Sequence, residues 1–229
     1  MGIDKGDETM RHFTSLYDCA GFLSLYLSKP VALVRATMLD CPTHYRLSGN
    51  LRLRLNQVPA EGSLSHVDGV VLYTLARLLQ AQNIVELGTF RGHSTNYLAE
   101  AVWKNGGRVD TVDLVRYWGK VWRGHAITLA NRQVVRQHKA DAYEYLLRRP
   151  QGSVDMIFED TSHDYYNTRG LIDLTKIVLK PGGLLVIHDV AVDKVPGCRV
   201  QEAVDDSGLP FECFTVWPGN QGLAVWRKP

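Results

Sequence analysis

Short apolar runs alternate with amphipathic stretches from residue 63 to residue 190. Between the runs, apolar residues recur every three or four positions, which is the period of a helix. The predicted strands are Ile84–Leu87, Val109–Leu114, Gln133–His138, Val154–Glu159 and Leu184–His188. The predicted helices are Ser63–Gln80, Ser94–Lys104, Trp118–Ala130, Ala142–Leu147 and Thr168–Leu179. Short, almost wholly apolar strands between helices are typical of a parallel sheet that is covered on both faces.

The two ends of the chain depart from this alternation. Near the C-terminus, Phe211–Trp217 and Leu223–Trp226 flank the turn residues Pro218-Gly219-Asn220, which predicts an antiparallel hairpin. The sequence therefore predicts an α/β fold with a doubly wound, mostly parallel, seven-stranded sheet and this hairpin at one edge.

The N-terminal segment contains two helical pieces, Thr14–Leu27 and Val31–Met38. We expect residues 1–62 to form a helical cap packed over one end of the sheet. The predicted organisation is thus a cap segment over residues 1–62 and a main domain over residues 63–229.

Composition restricts the partners and the compartment. The formal net charge of +2 gives no electrostatic case for binding a nucleic acid or an anionic membrane. The four cysteines are scattered without the paired spacing of metal ligands, which favours a reduced, cytoplasmic protein. No signal peptide is predicted, and the apolar stretch Ala20–Leu27 is too short to span a bilayer.

The turn after the first of these strands carries the strongest chemical signal. It reads IVELGTFRGHS from Ile84 to Ser94. In an open α/β sheet, ligands bind beyond the carboxyl ends of the strands, and free amides at a helix N-terminus attract negative groups. A dinucleotide-binding turn favours G-x-G-x-x-G, which this turn lacks. It has E-x-G-x-x-x-G-x-S instead, carried by Glu86, Gly88, Gly92 and Ser94.

This turn resembles motif I of the class I S-adenosylmethionine-dependent methyltransferases, particularly the small catechol-type and macrolide-sugar-type O-methyltransferases. The resemblance extends from Asn83 to Val190. Acidic residues follow the second, third and fourth strands of this region, at Asp113, Asp141 and Asp160. An LKPGG-strand-HD pattern then runs from Leu179 to Asp189. The order of these motifs carries the resemblance.

The resemblance implies S-adenosylmethionine as the cofactor and gives each motif a role. Gly88 and Gly92 would let the main chain lie against the methionine and ribose part. Ser94 would donate to the methionine carboxylate, and Asp113 would accept both ribose hydroxyls. The residues implied in cofactor binding are Glu86, Gly88, Thr89, Phe90, Gly92, Ser94, Asp113, Asp141, Ala142 and Asp160.

Four of these residues also have a simpler interpretation. Gly88 and Gly92 alone would ease a tight turn. Asp141, which with the backbone of Ala142 would receive the adenine amino group, also stands where a helix N-cap is expected. Glu86 is expected to brace the loop rather than to touch a ligand.

The reacting end is predicted from two neighbouring strand ends. EDTSHDYY begins at Glu159, and His188-Asp189 ends the strand after it, so Asp160, His163, His188 and Asp189 are expected to converge. Methylation of a hydroxyl requires loss of its proton. His163 is predicted as the general base, with Asp160 as the second catalytic residue.

A divalent metal, Mg²⁺, is the alternative device, because it would lower the pKa of the acceptor hydroxyl. Its predicted ligands are Asp160, His188 and Asp189. Val190 stands where the catechol branch has Asn, and His188 stands where the macrolide-sugar branch has an acid. A purely structural role for His163 is the third alternative.

The function expected from these features is O-methylation of a small molecule, such as a natural-product sugar or a phenol. An N- or C-methyltransferase and a non-catalytic S-adenosylmethionine-binding protein are the alternatives, and a nicotinamide dehydrogenase is a weaker one. The expected partner is a small-molecule methyl acceptor, and the N-terminal helices are a candidate homodimer surface.

Overall fold

One open sheet of eight strands runs through the described part of the chain. The computed structural model describes residues 10–41, 64–115, 131–191, 197–216 and 221–229. The strands are β1 (Met10–Phe13), β2 (Asn83–Leu87), β3 (Arg108–Asp113), β4 (Val135–Lys139), β5 (Val154–Glu159), β6 (Leu179–His188), β7 (Glu212–Val216) and β8 (Leu223–Arg227). Their order across the sheet is β1-β7-β8-β6-β5-β2-β3-β4. Strand β8 is antiparallel to both of its neighbours, whereas each remaining pair is parallel.

Helices cover both faces of this sheet. They are α1 (Leu16–Leu27), α2 (Val31–Leu39), α3 (His66–Leu78), α4 (His93–Asn105), α5 (Asn131–Val134), α6 (Ala142–Leu147), α7 (Tyr165–Val178) and α8 (Val200–Asp205). Along β5, Met156 and Phe158 join the core cluster that contains residues of α1 to α4, and Ile157 joins the cluster that contains residues of α6 to α8. Side chains of a strand alternate between the two faces of the sheet. Because helices cover both faces, both sets of side chains are buried, and the strand is a nearly continuous apolar run in the sequence.

The N-terminal segment departs from the predicted seven-stranded sheet. Strand β1 is an eighth strand, and it pairs in parallel with β7 from Met10↔Cys213 to Phe13↔Val216. It was missed because a four-residue edge strand needs no apolar run, and Arg11 and His12 in its middle are exposed. The prediction of seven strands is therefore wrong by one edge strand.

The helices of that segment agree with the predicted pieces at 14–27 and 31–38. Helix α1 begins at the N-cap Ser15, whose side chain accepts from the amide of Asp18. It packs on the edge of the sheet, where the ring of Phe22 lies 5.1 Å from that of Phe214 in β7. The boundary at residue 62 stays a prediction, since residues 42–63 lie outside the described ranges.

The remaining expectations concern the hairpin, one helix and the membrane. The antiparallel pairing of β7 with β8 confirms the hairpin. The helix predicted at 118–130 lies outside the described residues. No helix within the described ranges is both long and apolar enough to cross a membrane.

The strand order also places a crevice. From β2 the chain proceeds through β3 to β4 at one edge and then returns to form β5 on the other side of β2. A reversal of this kind opens a crevice at the carboxyl ends of the two central strands, β2 and β5. The predicted site residues follow these strand ends.

Candidate active site

A cavity of about 600 Å³ opens at the carboxyl ends of β2, β3 and β5. Seven of the thirteen predicted site residues line it, namely Gly88, Phe90, Asp113, Asp141, Ala142, Asp160 and His163. The other six predicted residues are buried and are not part of this lining, namely Glu86, Thr89, Gly92, Ser94, His188 and Asp189. We call the part around Glu86, Gly88 and Asp113 the cofactor half, and the part around Asp160, His163, His188 and Asp189 the reacting half.

Gly88 joins the two halves. Its φ is +94°, and a Cβ atom there would lie 1.9 Å from the backbone oxygen of Asp160. The amide of Asp160 in turn donates to the carbonyl of Leu87 at 2.9 Å. Glycine is therefore required at 88 by its backbone conformation and by the approach of the next strand end, whether or not a cofactor lies there.

Gly92 serves the helix that follows. It is the N-cap of α4 with a φ of +72°, in the left-handed region that favours glycine. Helix α4 follows the loop directly, so its N-terminus lies at the same end of the sheet as the loop. This is the position in which a helix N-terminus attracts an anionic group.

Glu86 braces the glycine loop, as expected from the sequence. Its carboxylate is buried and accepts from the hydroxyls of Ser94 at 2.6 Å and Thr95 at 2.5 Å. Burial raises the pKa of Glu86 to about 7, although these hydroxyls act in the opposite direction. Ser94 therefore gives its hydroxyl hydrogen to Glu86 and not to the cavity.

Asp113 ties the end of β3 to the same loop. Its carboxylate accepts from the backbone amides of Thr89 at 3.0 Å, Phe90 at 2.9 Å and Val115 at 2.9 Å. Phe90 has a φ of +40°, which this hydrogen bond helps to hold. Carboxylate oxygens accept more than one hydrogen bond, so Asp113 can still receive a ligand hydroxyl from the cavity.

Asp141 has the geometry of a helix N-cap. Its side chain accepts from the amide of Glu144 at 3.1 Å, and Ala142 begins α6. Both residues also line the cavity. Asp141 therefore caps the helix and also faces the cavity.

The four residues of the reacting half converge, as the sequence predicts. His163 Nε2 lies 2.7 Å from Asp189 Oδ2 and 3.9 Å from Asp160 Oδ1. His188 Nδ1 lies 3.3 Å from Asp189 Oδ1 and 3.4 Å from Asp160 Oδ1. The His163 side chain is 39% exposed and that of His188 is 2% exposed. His163 therefore faces the crevice, and His188 lies beneath it.

Asp68 was missed by sequence reasoning. It lies in the first turn of α3, is 1% exposed, and places Oδ2 3.8 Å from His188 Nε2. The same oxygen accepts from the Ser65 hydroxyl at 2.7 Å, and Ser65 is the N-cap of α3. Ser-x-x-Asp at this point signals only a helix start, because the sequence does not say where α3 packs.

The imidazoles and carboxylates shift each other's pKa values. The carboxylates of Asp160 and Asp189 raise the pKa of His163 to about 10. Burial opposes the charge on His188, but the Asp160 carboxylate holds the pKa of His188 well above its ordinary value. Burial also opposes ionisation of Asp189, yet the nearby imidazoles of His163 and His188 hold its pKa below the usual range. At neutral pH His163 is therefore an imidazolium in this cluster.

Buried polar atoms of the reacting half fit a divalent ion. Among the described residues, His188 Nδ1 and Asp189 Oδ1 are buried without a hydrogen-bond partner. One oxygen each of Asp160 and Asp189 and one nitrogen of His163 also lie within 4.8 Å of one another. Two carboxylates with an imidazole form a donor set found in metal sites. Mg²⁺ prefers oxygen donors, so the set departs from a magnesium site at the imidazole.

Comparisons with known proteins agree with this geometry. Residues 85–190 match the family model described as "Methyltransferase domain". A catechol O-methyltransferase from Niastella koreensis is 34% identical over 134 residues. That match covers 57% of this chain and 59% of the relative, so the chain spans less than two thirds of the curated enzyme.

Solved structures share the fold over most of their length. An O-methyltransferase structure from Klebsiella pneumoniae, described as putative, has a TM-score of 0.59 at 20% identity and covers 94% of this chain and 98% of that chain. The O-methyltransferase TomG from Streptomyces achromogenes, solved with S-adenosylmethionine, has a TM-score of 0.56 at 20% identity and covers 99% of this chain and 100% of that chain. The resemblance to class I methyltransferases and the Rossmann-like methyltransferase fold are therefore confirmed.

Proposed function

We propose that this chain is an S-adenosylmethionine-dependent methyltransferase that methylates a hydroxyl of a small molecule, with natural-product sugars and phenols as acceptor classes. One observation carries the proposal: Gly88 brings the glycine loop and the His163 cluster to a single cavity. The matched catechol O-methyltransferase supports the reaction class. The matched part spans 59% of that enzyme, so its acceptor is not transferred to this chain.

The cofactor half supplies the contacts expected for an adenosyl sulfonium. Backbone amides at the start of α4 would receive the methionine carboxylate. Asp113 would accept the ribose hydroxyls through the lone pairs not used by the loop amides, and Asp141 would receive the adenine amino group. The protein's own hydrogen bonds hold both carboxylates in place before a ligand binds. Preorganisation of this kind lowers the cost of binding.

The reacting half would align and deprotonate the acceptor. The hydroxyl oxygen attacks the methyl carbon in line with the sulfur, the C–S bond breaks as the O–C bond forms, and S-adenosylhomocysteine leaves. Positioning alone can supply about 7–11 kcal/mol in ideal cases. The acceptor proton would pass to the imidazole of His163, which lines the cavity.

For His163 to accept that proton, the pull of its two carboxylates has to be offset. A divalent ion held by Asp160, Asp189 and His188 would supply positive charge and lower the pKa of an acceptor hydroxyl. The residues of the chain then have separate tasks. Asp160 and Asp189 balance the charge, and His163 moves the proton.

The proposal is tested with the purified 229-residue chain. Calorimetry compares S-adenosylmethionine with NAD, and mass spectrometry then follows methyl transfer to catechol, to other phenols and to sugars. We expect binding of S-adenosylmethionine and an O-methylated product. Binding of the dinucleotide alone would overturn the assignment. A product methylated on nitrogen or carbon, or tight cofactor binding without turnover on any acceptor, would favour the alternative functions.

The cellular location and the oligomeric state are proposed from the cysteines and from the surface of the N-terminal helices. All four cysteines are buried and free, which supports a reduced, cytoplasmic location.

A homodimer through the N-terminal helices is supported by apolar side chains on their outer surface, where Tyr17 is 58% and Leu25 is 83% exposed. Light scattering of the wild type and of Leu25→Lys tests the dimer. We expect a dimer mass that falls towards the monomer mass in the variant.

A further inference from the structure

A second cavity, of about 750 Å³, lies at the edge of the sheet beside β4. This volume is in the range of cavities that bind small molecules. Ala140 is the one described residue that lines both this cavity and the crevice. The net charge of the whole chain is only +2, yet a single acid, Asp110, lines this cavity. We call it the basic pocket after its five cationic lining residues, Arg108, Arg136, Lys139, Arg148 and Arg149.

The one carboxylate of the basic pocket is shared by three side chains. Asp110 is buried, and its carboxylate lies 2.9 Å from His138 Nε2 and 3.6 Å from Arg108 Nε. It also pairs with Nη2 of Arg149. Burial opposes ionisation of Asp110, but His138 and Arg149 hold its pKa below the ordinary value. A single negative charge does not neutralise two guanidinium groups, so this part of the pocket keeps an excess of positive charge.

Two further cations of the basic pocket have no acid of their own. Arg136 and Lys139 are exposed, and neither forms an ion pair with a residue of the described ranges. Arg136 is the cross-strand neighbour of Asp110, so both residues lie on the same face of the sheet. Arg148 differs from them, because its Nη2 lies 3.2 Å from Glu144 Oε2. Positive charges gathered in a concave surface raise the local concentration of anions.

Arg149 is held in a fixed orientation by its neighbours. Its Cζ lies 4.6 Å from the centroid of the Tyr145 ring, and its Nη2 donates to the Tyr145 hydroxyl and to Asp110. Its Nε and Nη1 donate to no atom of the described residues. A guanidinium group presents its donors as a planar fork that matches the oxygens of a phosphate. Because Arg149 is already ordered, binding an anion would cost it little side-chain entropy.

We propose that the basic pocket binds the diphosphate group of a small molecule. A diphosphate carries several negative charges on two phosphorus centres, so it can contact more of these cations at once than a carboxylate can. The enclosed shape of the pocket favours a small molecule over a nucleic-acid strand, which needs a groove that follows its backbone. The site lies outside the crevice and goes beyond the proposed function. The cations that would contact the diphosphate are Arg108, Arg136, Lys139 and Arg149.

The test is calorimetry of the 229-residue chain with inorganic diphosphate, UDP and sulfate. The buffer is free of metal ions, so that diphosphate does not bind through an ion in the crevice. We expect one diphosphate per chain, with a dissociation constant about 10-fold below that of sulfate and an affinity that falls with added salt. Tighter binding of UDP than of diphosphate would support an ester as the ligand, and the reverse would support the free anion. Binding of neither, or an affinity equal to that for sulfate, would overturn the proposal.

Variants of Arg136 locate the binding. Arg136→Gln should weaken binding of diphosphate by about 10-fold, and Arg136→Lys should weaken it less, because lysine keeps the charge but not the fork. The matched control is Arg35→Gln in α2, since Arg35 is also exposed and also forms no ion pair with a described residue. Equal losses in Arg136→Gln and Arg35→Gln would mean that only net charge matters, which would contradict the proposal. Lys139→Gln, with Lys29→Gln as its control, repeats the test if Arg136→Gln does not fold.

Two further ligands distinguish the basic pocket from other places where an anion could bind. S-adenosylhomocysteine should not compete with diphosphate, because the two cavities share only Ala140 among the described residues. Competition would place the diphosphate in the crevice and would overturn the proposal, as would tighter binding of a short oligothymidylate than of diphosphate. If S-adenosylhomocysteine does not bind at all, the proposed function fails, while the effect of Arg136→Gln still tests the pocket.

Discussion

The cofactor half and the reacting half of the crevice both bury carboxylates, and they differ in what satisfies them. In the cofactor half, Glu86 accepts two hydroxyls and Asp113 accepts three backbone amides. In the reacting half, Asp189 and His188 retain buried polar atoms without hydrogen-bond partners among the described residues. The carboxylates of the first half are thus satisfied by the fold itself, whereas the second half keeps buried polar atoms that the described residues leave unpaired.

The largest expected effect is a loss of turnover that leaves cofactor binding unchanged, and it would show that the two halves act independently. His163→Ala removes the proposed base, so turnover should fall by about 10²- to 10⁴-fold while the affinity for S-adenosylmethionine stays within about threefold. Single-turnover kinetics and calorimetry measure the two quantities, with His138→Ala as the control. A parallel loss of cofactor affinity would show that the halves do not act independently.

Gly88→Ala should damage both halves at once. The added Cβ would meet the backbone oxygen of Asp160 and would require a φ of +94° from a non-glycine residue. Strain and overpacking together should lower the free energy of unfolding by about 3 kcal/mol in urea denaturation. Gly152→Ala is the control, because φ there is +61° but no heavy atom in the described ranges lies within 4 Å of its Cβ. That change should cost about 1 kcal/mol, and equal losses in the two variants would contradict the close approach.

Glu86→Gln tests the carboxylate of the cofactor half through pH. Because the folded state holds the pKa of Glu86 at about 7, above its ordinary 4.5, folding favours the protonated form. The contribution of Glu86 to the free energy of unfolding is fully present below pH 4.5 and is lost as the pH rises towards 7. The free energy of unfolding should fall over this range by at most about 1.4 kcal/mol per pH unit.

The variant should show a shallower decline over the same range. Glu159, whose pKa burial also raises to about 7, accepts from Thr161 and keeps part of the slope. Urea denaturation at a series of pH values measures the difference. An identical slope in both proteins would mean that Glu86 is ionised throughout this range.

The smallest effect concerns the double role of Asp141. Asp141→Ala should lower stability by about 1 kcal/mol through loss of the cap of α6, and so should Ser15→Ala through loss of the cap of α1. Only the first should weaken binding of S-adenosylmethionine. Asp141→Asn keeps the cap, so calorimetry on this variant shows whether the cofactor half needs the charge.

Much of the fold could be predicted from the sequence because both faces of the central strands are buried. Two predicted strands are apolar runs for this reason. The first, Val154–Glu159, coincides with β5, and the second, Leu184–His188, lies within β6. Strand β1 could not be predicted in this way. It has one neighbour, β7, and only Met10 and Phe13 are partly buried, so its pairing leaves little trace in the pattern.

The residues of the candidate site likewise differ in whether the sequence could predict them. Asp160, His163, His188 and Asp189 could be grouped in advance, because the ends of adjacent parallel strands lie together. Asp68 belongs to a helix that precedes the first of these strands, and only the packing of α3 against the sheet brings it to His188. The Ser-x-x-Asp pattern predicts that Asp68 lies at the start of a helix, but it does not predict the contact of Asp68 with His188.

The pairing of β1 with β7 has a consequence for the order of folding. It joins residues that are 203 positions apart, as in the contact of His12 with Thr215. Closing so long a loop costs chain entropy that a four-residue strand recovers only once β7 and β8 are already in place. We expect the first strand of the chain to dock last and, in hydrogen exchange, to open first.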